Sequence, residues 1–177
     1  MSMLSTAMNR EILGELENTA KNLLHALDAF KPSEINLIPF EGSWTAGQVA
    51  EHLRKADGGI VELLYGTMRS TPREPDKMIE QIRNDFLDFS CKFQSPDILV
   101  PENSTYNKET LLQSLDSIFL KLKVAAKTLD LSQTNTDFPF PVYGELTRME
   151  LIWFAIYHTQ RHIHQLSNIF QRLHSKH

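Results

Sequence analysis

Cysteine occurs only once in the 177-residue chain, at Cys91, which excludes an internal disulfide and a thiolate-rich zinc or iron–sulfur site. Lys and Arg number 18 against 22 Asp and Glu, and a net charge of −4 lacks the cationic excess that nucleic-acid binding requires. No apolar run reaches the roughly 20 residues that span a bilayer. Charges at Arg10, Glu11 and Glu15 interrupt the apolar stretch that a signal peptide would need near the N-terminus. We therefore expect a cytoplasmic protein without nucleic-acid or membrane partners.

Several catalytic motifs are also missing. The chain contains no Glu-x-x-His, which disfavours a di-iron carboxylate bundle, and no His-Glu-x-x-His, which excludes the common zinc protease pattern. It contains neither a glycine-rich phosphate loop nor a serine nucleophile elbow. Any metal chemistry in this protein is therefore expected to use a single ion.

Glycine and proline are scarce, with 7 and 8 residues, and they fall between long stretches of helical periodicity. Apolar residues recur at three- and four-residue spacing in four such stretches, which predicts four long helices. Two of them begin at a capping box, formed by Thr45 with Gln48 and by Thr147 with Glu150. The predicted helices cover roughly residues 7–30, 46–65, 108–129 and 148–173.

Residues 67–106, called the crossover below, contain four prolines and are expected to hold one short helix. Four amphipathic helices that each bury one stripe pack most simply as a four-helix bundle, with this long connection between the second and third helices. The sequence therefore predicts an all-α bundle that forms a single domain over residues 1–177.

Two histidines on the last helix are the strongest candidates for a functional site. His158 and His162 are four residues apart, so their rings lie on one face and can reach one metal ion. Such spacing also occurs by chance on surface helices. Here, however, the pair shares a face with Leu151, Phe154 and Ile169, and this apolar stripe is expected to point into the bundle.

On the second helix, His52 lies among apolar residues and is a third candidate ligand, although taken alone its position is more typical of a core or boundary histidine hydrogen-bonded to a neighbour. Gln165 could hold a ligand imidazole or merely cap a boundary position, and Trp44 could form a wall of the site or merely fix its loop. His164 points away from the pair. No Glu or Asp lies on the predicted site face of the last helix, and Glu51 and Asp57 flank His52 but point elsewhere on an ideal helix.

The motifs GSWTAGQVAEHL, which includes Trp44 and His52, and HTQRHIHQL, which includes His158, His162 and Gln165, resemble the DinB-like superfamily. The resemblance implies an up-down-down-up four-helix bundle that is frequently a homodimer. It further implies that the three histidines bind a divalent metal ion such as zinc, nickel or iron.

Members of that superfamily include transferases and isomerases that use low-molecular-weight thiols, and hydrolase-like proteins. We therefore expect a metal-dependent enzyme that activates a thiol toward a small electrophile, since hydrolysis usually recruits a carboxylate base and none is expected here. The alternatives are a metal-dependent hydrolase and a non-catalytic metal-binding or interaction protein.

Overall fold

The computed structural model describes residues 3–175 of the chain. Within them the main chain forms five α-helices, two very short strands and one turn of 3₁₀-helix, Asp97–Leu99. The helices are α1 (Met3–Asp28), α2 (Ala46–Leu64), α3 (Ile79–Leu87), α4 (Lys108–Thr128) and α5 (Arg148–His174). The four long helices agree with the predicted ones, and α3 is the short helix expected in the crossover.

Contacts at the helix ends give the direction of α4 and α5 relative to α1. The Lys108 ammonium at the start of α4 donates to the carbonyl of Asp28 at the end of α1, at 2.9 Å, so these helices are antiparallel. The rings of Phe30, just past α1, and Phe170, near the end of α5, meet edge to face at 5.3 Å. The last turns of α1 and α5 therefore lie at the same end, and these helices are parallel.

Helix α2 runs antiparallel to α5 and parallel to α4. The guanidinium of Arg148, the first residue of α5, donates to the carbonyl of Leu64, the last residue of α2, at 2.8 Å. Gly47 in the first turn of α2 lies against Tyr106, just before α4. Together these contacts confirm the up-down-down-up order of the bundle.

The core consists of the apolar stripes of the four long helices. Its members have almost no exposed area, as expected when leucine and isoleucine stripes face each other in a bundle. Fully buried examples are Leu16, Leu23, Leu53, Leu64, Leu115, Leu122, Leu151 and Ile156.

Both predicted capping boxes are present. The Thr45 hydroxyl accepts from the Gln48 amide at 3.1 Å, and the Gln48 side chain accepts from the Thr45 amide at 2.9 Å. Thr147 and Glu150 form the same pair of bonds at 3.1 and 2.9 Å. Each box satisfies main-chain donors in the first turn of its helix and so defines the residue at which α2 or α5 begins.

The crossover is fastened to α5. Arg73 forms a two-pronged ion pair with the buried Glu150, at 2.6 and 2.7 Å. Arg161 donates to the main-chain carbonyls of Phe86 and Asp88 at 3.0 and 2.9 Å. A two-residue antiparallel ladder between β1 (Met68–Arg69) and β2 (Thr134–Asn135) joins the start of the crossover to the loop that precedes α5.

None of the helices described in residues 3–175 has the length and apolar character needed to span a bilayer.

Candidate metal centre

The structure brings all three predicted histidines together. Helix α2 contributes His52, and α5 contributes His158 and His162 from successive turns of one face. The Nε2 atom of His158 lies 3.1 Å from the Nε2 atoms of both His52 and His162. His52 and His158 are buried and His162 is half-buried. Within the part of the chain that the structure describes, this is the one group of three or more His, Cys, Asp or Glu whose potential ligand atoms converge, all within 4.8 Å.

The other ring nitrogen of two of these histidines meets an oxygen. His52 Nδ1 lies 3.0 Å from the Leu99 carbonyl, which belongs to the crossover, and His162 Nδ1 lies 2.7 Å from the Gln165 side-chain oxygen. Oxygens of this type only accept, so each Nδ1 carries the hydrogen. A neutral imidazole protonated at Nδ1 has its lone pair on Nε2. The two rings therefore direct lone pairs toward His158.

Burial keeps the three imidazoles neutral. It lowers the pKa of His158 to about 3, with a further contribution from the neighbouring His52. It also lowers the pKa of His162 well below the ordinary value of 6.5, and that of His52 below 6.5. Near neutral pH the site therefore presents unprotonated nitrogen donors, the form in which histidine binds metals.

This donor set fits a divalent metal ion. Zn–N bonds of about 2.0–2.1 Å that meet at roughly 90–110° place two nitrogens about 2.8–3.4 Å apart. The observed Nε2 separations of 3.1 Å fall within that range. Without a cation, lone pairs that face each other at this distance repel, because His158 Nε2 cannot hold a hydrogen for both neighbours.

Aromatic side chains form the walls of the site. The ring of Trp44 packs against that of His52 with 5.2 Å between centroids. Phe86 from α3 and Phe154 from α5 lie 5.4 and 5.9 Å from the His158 ring. These three side chains are themselves half-buried, and His162 is the most exposed of the three histidines.

One expectation from the sequence is wrong. Asp57 does not point elsewhere but is completely buried between α2 and α5. Its Oδ2 atom accepts from the Thr159 hydroxyl at 2.9 Å, and its Oδ1 atom lies 3.8 Å from His158 Nδ1. Burial raises the pKa of Asp57 to about 7. Since His158 is neutral at that pH, their contact is not an ordinary ion pair.

A signal for Asp57 was present in the sequence. It lies four residues after Leu53 and three before Ile60, so it belongs to the same buried stripe of α2. The angle between Asp57 and His52 around the helix axis did not predict this burial, because α2 packs against both α4 and α5 and so buries a wide arc of its surface. The Leu99 carbonyl had no comparable signal, since it is a main-chain atom 47 residues from the ring that it holds.

The other nearby polar residues lie outside the cluster, as expected. Glu51 forms a two-pronged ion pair with Arg54 at 2.7 and 2.8 Å on the surface of α2. His164 is exposed, and its ring stacks on Phe89 of the crossover with 4.1 Å between centroids. Neither side chain contacts the three histidines.

Comparisons with known proteins match this fold. A model of the DinB superfamily matches residues 15–166. The uncharacterized protein YuaE of Bacillus subtilis (strain 168) is 24% identical over 151 residues, which cover 83% of this chain and 90% of YuaE.

Two solved structures are also similar. YfiT from Bacillus subtilis, described as "a probable metal-dependent hydrolase with an unusual four-helix bundle topology", superposes with a TM-score of 0.61 at 15% identity, over 99% of this chain and 91% of YfiT. TT2238, described as a four-helix bundle protein, gives a TM-score of 0.54 at 23% identity, over 90% of this chain and 98% of TT2238. At these identities the two structures show a shared fold.

Proposed function

The chain belongs to the DinB superfamily, and from this premise we propose that His52, His158 and His162 bind one divalent metal ion in a thiol-dependent transferase that acts on a small electrophile. The observation that supports the metal site is the approach of the Nε2 atoms of His52 and His162, which carry lone pairs, to 3.1 Å from His158 Nε2 in a mostly buried cluster. Zinc, nickel and iron all accept imidazole ligands, and the three histidines do not distinguish among them.

A bound divalent ion supplies Lewis-acid chemistry, since it makes a thiol or a water molecule a better nucleophile near neutral pH. The protein's own residues prepare the site for it. The Leu99 carbonyl and Gln165 hold the hydrogens of His52 and His162 on Nδ1. Trp44, Phe86 and Phe154 pack against the rings of His52 and His158. His162 is the most exposed of the three histidines, and we infer that a small-molecule substrate approaches the ion from its side.

The two carboxylates that flank His52 on α2 are not free to act as a base, and this favours thiol transfer over hydrolysis. Hydrolytic metal sites usually add a carboxylate that removes a proton from water. Asp57 lies behind His158 with no exposed area, and Glu51 is paired with Arg54 on the surface. A metal-activated thiol needs less help from a base, because a thiol is far more acidic than water.

Metal-dependent hydrolysis is the second candidate, and its support is the description of YfiT as a probable metal-dependent hydrolase. A non-catalytic metal-binding protein is the third. All three candidates require the same metal site and differ in what that site does.

One screen separates them. The protein is loaded in turn with Zn²⁺, Ni²⁺ or Fe²⁺. One assay uses chromogenic electrophiles in the presence of glutathione, bacillithiol or a simple thiol, and a second assay uses chromogenic esters and amides without thiol. Metal-dependent turnover that needs a thiol is expected. Cleavage without thiol would replace the transferase with the hydrolase, and inactivity of a metal-loaded protein throughout would favour the binding protein.

The screen has two controls, protein stripped with a chelator and the His158→Ala variant. Both are expected to remain at the rate of the reaction without enzyme. Elemental analysis accompanies the assay, and a wild-type protein that contains no metal after purification and after reconstitution would overturn the metal site itself.

A further inference from the structure

We infer that Asp57 is a positioning residue of the metal site. Its carboxylate accepts a hydrogen bond from Nδ1–H of His158 and thereby keeps the lone pair of His158 on Nε2, directed at the other two histidines. The inference rests on the proposed metal site and extends it by one side chain. Asp57 itself touches neither a metal nor a substrate.

The first step of the argument is an asymmetry among the three rings. The Nδ1 atoms of His52 and His162 each have an oxygen within 3.0 Å, whereas the Nδ1 atom of His158 is buried and has no hydrogen-bond partner. The oxygen that faces it is Asp57 Oδ1, which is also buried and also lacks a partner. Among the described residues only three buried side-chain polar atoms lack a partner, and two of them face each other here.

The second step is that Asp57 is held in this direction. Its other oxygen, Oδ2, accepts from the hydroxyl of Thr159, the residue that follows His158 on α5. The carboxyl group is thus attached to the same turn of helix as the ring that it faces. A hydrogen bond of about 2.9 Å between Asp57 Oδ1 and His158 Nδ1 needs these two atoms to approach by about 1 Å.

The third step concerns charge. Three neutral imidazoles do not compensate the charge of a divalent ion. A carboxylate behind a ligand imidazole supplies negative charge, orients the ring and makes the ligand nitrogen more basic. Asp57 is the carboxylate placed to do this, because it is buried against His158 whereas Glu51 faces the surface.

The test compares Asp57→Asn with wild-type protein. Asn has nearly the same shape but no charge, and either of its terminal atoms can meet Thr159, so the hydrogen on His158 is no longer confined to Nδ1. Zn²⁺ affinity is measured by competition with a chromogenic chelator at pH 7, and a loss of 10- to 100-fold is expected. The tautomer of His158 is measured by ¹⁵N NMR in the metal-free proteins at about pH 9, where the Asp57 carboxyl is ionised, with Nδ1–H expected in the wild type and a mixture in the variant.

Glu51→Gln is the matched control, since it removes one negative charge from the same helix at a position that faces away from the site. It is expected to change Zn²⁺ affinity less than threefold and to leave the tautomer unchanged. If circular dichroism shows that Asp57→Asn does not fold, Thr159→Val removes the hydroxyl that holds Oδ2. A smaller change in both measurements is then expected.

In the folded variant, wild-type values for either the affinity or the tautomer would overturn the inference. A wild-type protein that binds no Zn²⁺, Ni²⁺ or Fe²⁺ would instead overturn the proposed function. The two failures are distinguishable because the comparison of variants starts only from a wild-type protein that binds the ion.

Discussion

Replacing Arg73 with Met tests how strongly the crossover contributes to the stability of the bundle. The Arg73 guanidinium lies 2.6 and 2.7 Å from the two oxygens of Glu150, and the Glu150 side chain has no exposed area. Met keeps much of the aliphatic stem and removes only the charged head. The variant therefore leaves a buried carboxylate without its cation.

The expected cost follows from this burial. Removing one partner of a buried ion pair destabilises a protein by about 3–5 kcal/mol, because the remaining charge stays desolvated. Arg73 itself is 24% exposed, and Glu150 keeps two main-chain donors, the amides of Thr147 and Met78 at 2.9 Å each. Both facts place the expected loss of stability near the lower end of this range, at about 3 kcal/mol. That is a large part of the total free energy of unfolding, which is typically about 5–15 kcal/mol for a folded domain.

Arg69→Met is the matched control four residues earlier. Arg69 pairs with Glu145 at 2.5 Å, but the two side chains are 45% and 36% exposed, and such surface pairs contribute about 0–1 kcal/mol. Urea unfolding followed by circular dichroism gives the free energy of unfolding of both variants. If Arg73→Met costs no more than Arg69→Met, the argument from burial is refuted.

Two further predictions concern the candidate site. His158→Ala is expected to lower Zn²⁺ affinity by orders of magnitude with helix content retained, whereas the exposed His164→Ala changes neither; equal affinities by calorimetry would contradict the ligand assignment. In metal-free protein, folding raises the pKa of Asp57 from 3.8 to about 7. Between these values the folded protein holds a proton that the unfolded chain has released, so the contribution of Asp57 to the free energy of unfolding falls as pH rises from about 4 through 7. The Asp57→Asn variant has no titrating group at this position, so the stability of the variant relative to wild type should rise over that pH interval by up to about 4 kcal/mol. Urea unfolding at each pH measures this difference, and a difference that does not depend on pH would contradict the raised pKa.

The sequence predicted the parts of the fold that depend on local pattern. Apolar spacing of three and four gave the long helices within a few residues, and the residue pairs Thr45–Gln48 and Thr147–Glu150 marked the beginnings of α2 and α5. These features depend on neighbours in the chain, so periodicity and capping rules detect them. The same rules placed the three histidines on inward faces.

Features that depend on distant parts of the chain were not predictable in this way. The pairing of Met68 with Asn135 joins residues far apart in sequence through main-chain atoms, and the side chains of neither segment predict it. The burial of Asp57 depends on which two helices enclose α2, which a single helical wheel does not contain. Partners of this kind become visible only once the packing of the bundle is known.

The oxygen that holds His52 belongs to the main chain at position 99, so every amino acid placed there would supply it. Alanine scanning would pass over this contact, and substitutions at Leu99 would report only on packing. Changes in length act differently: inserting or deleting one residue between Pro96 and Pro101 would carry the oxygen out of reach and free the ring to turn. The orientation of His52 is therefore encoded in how many residues the crossover has at this point, more than in which residues they are.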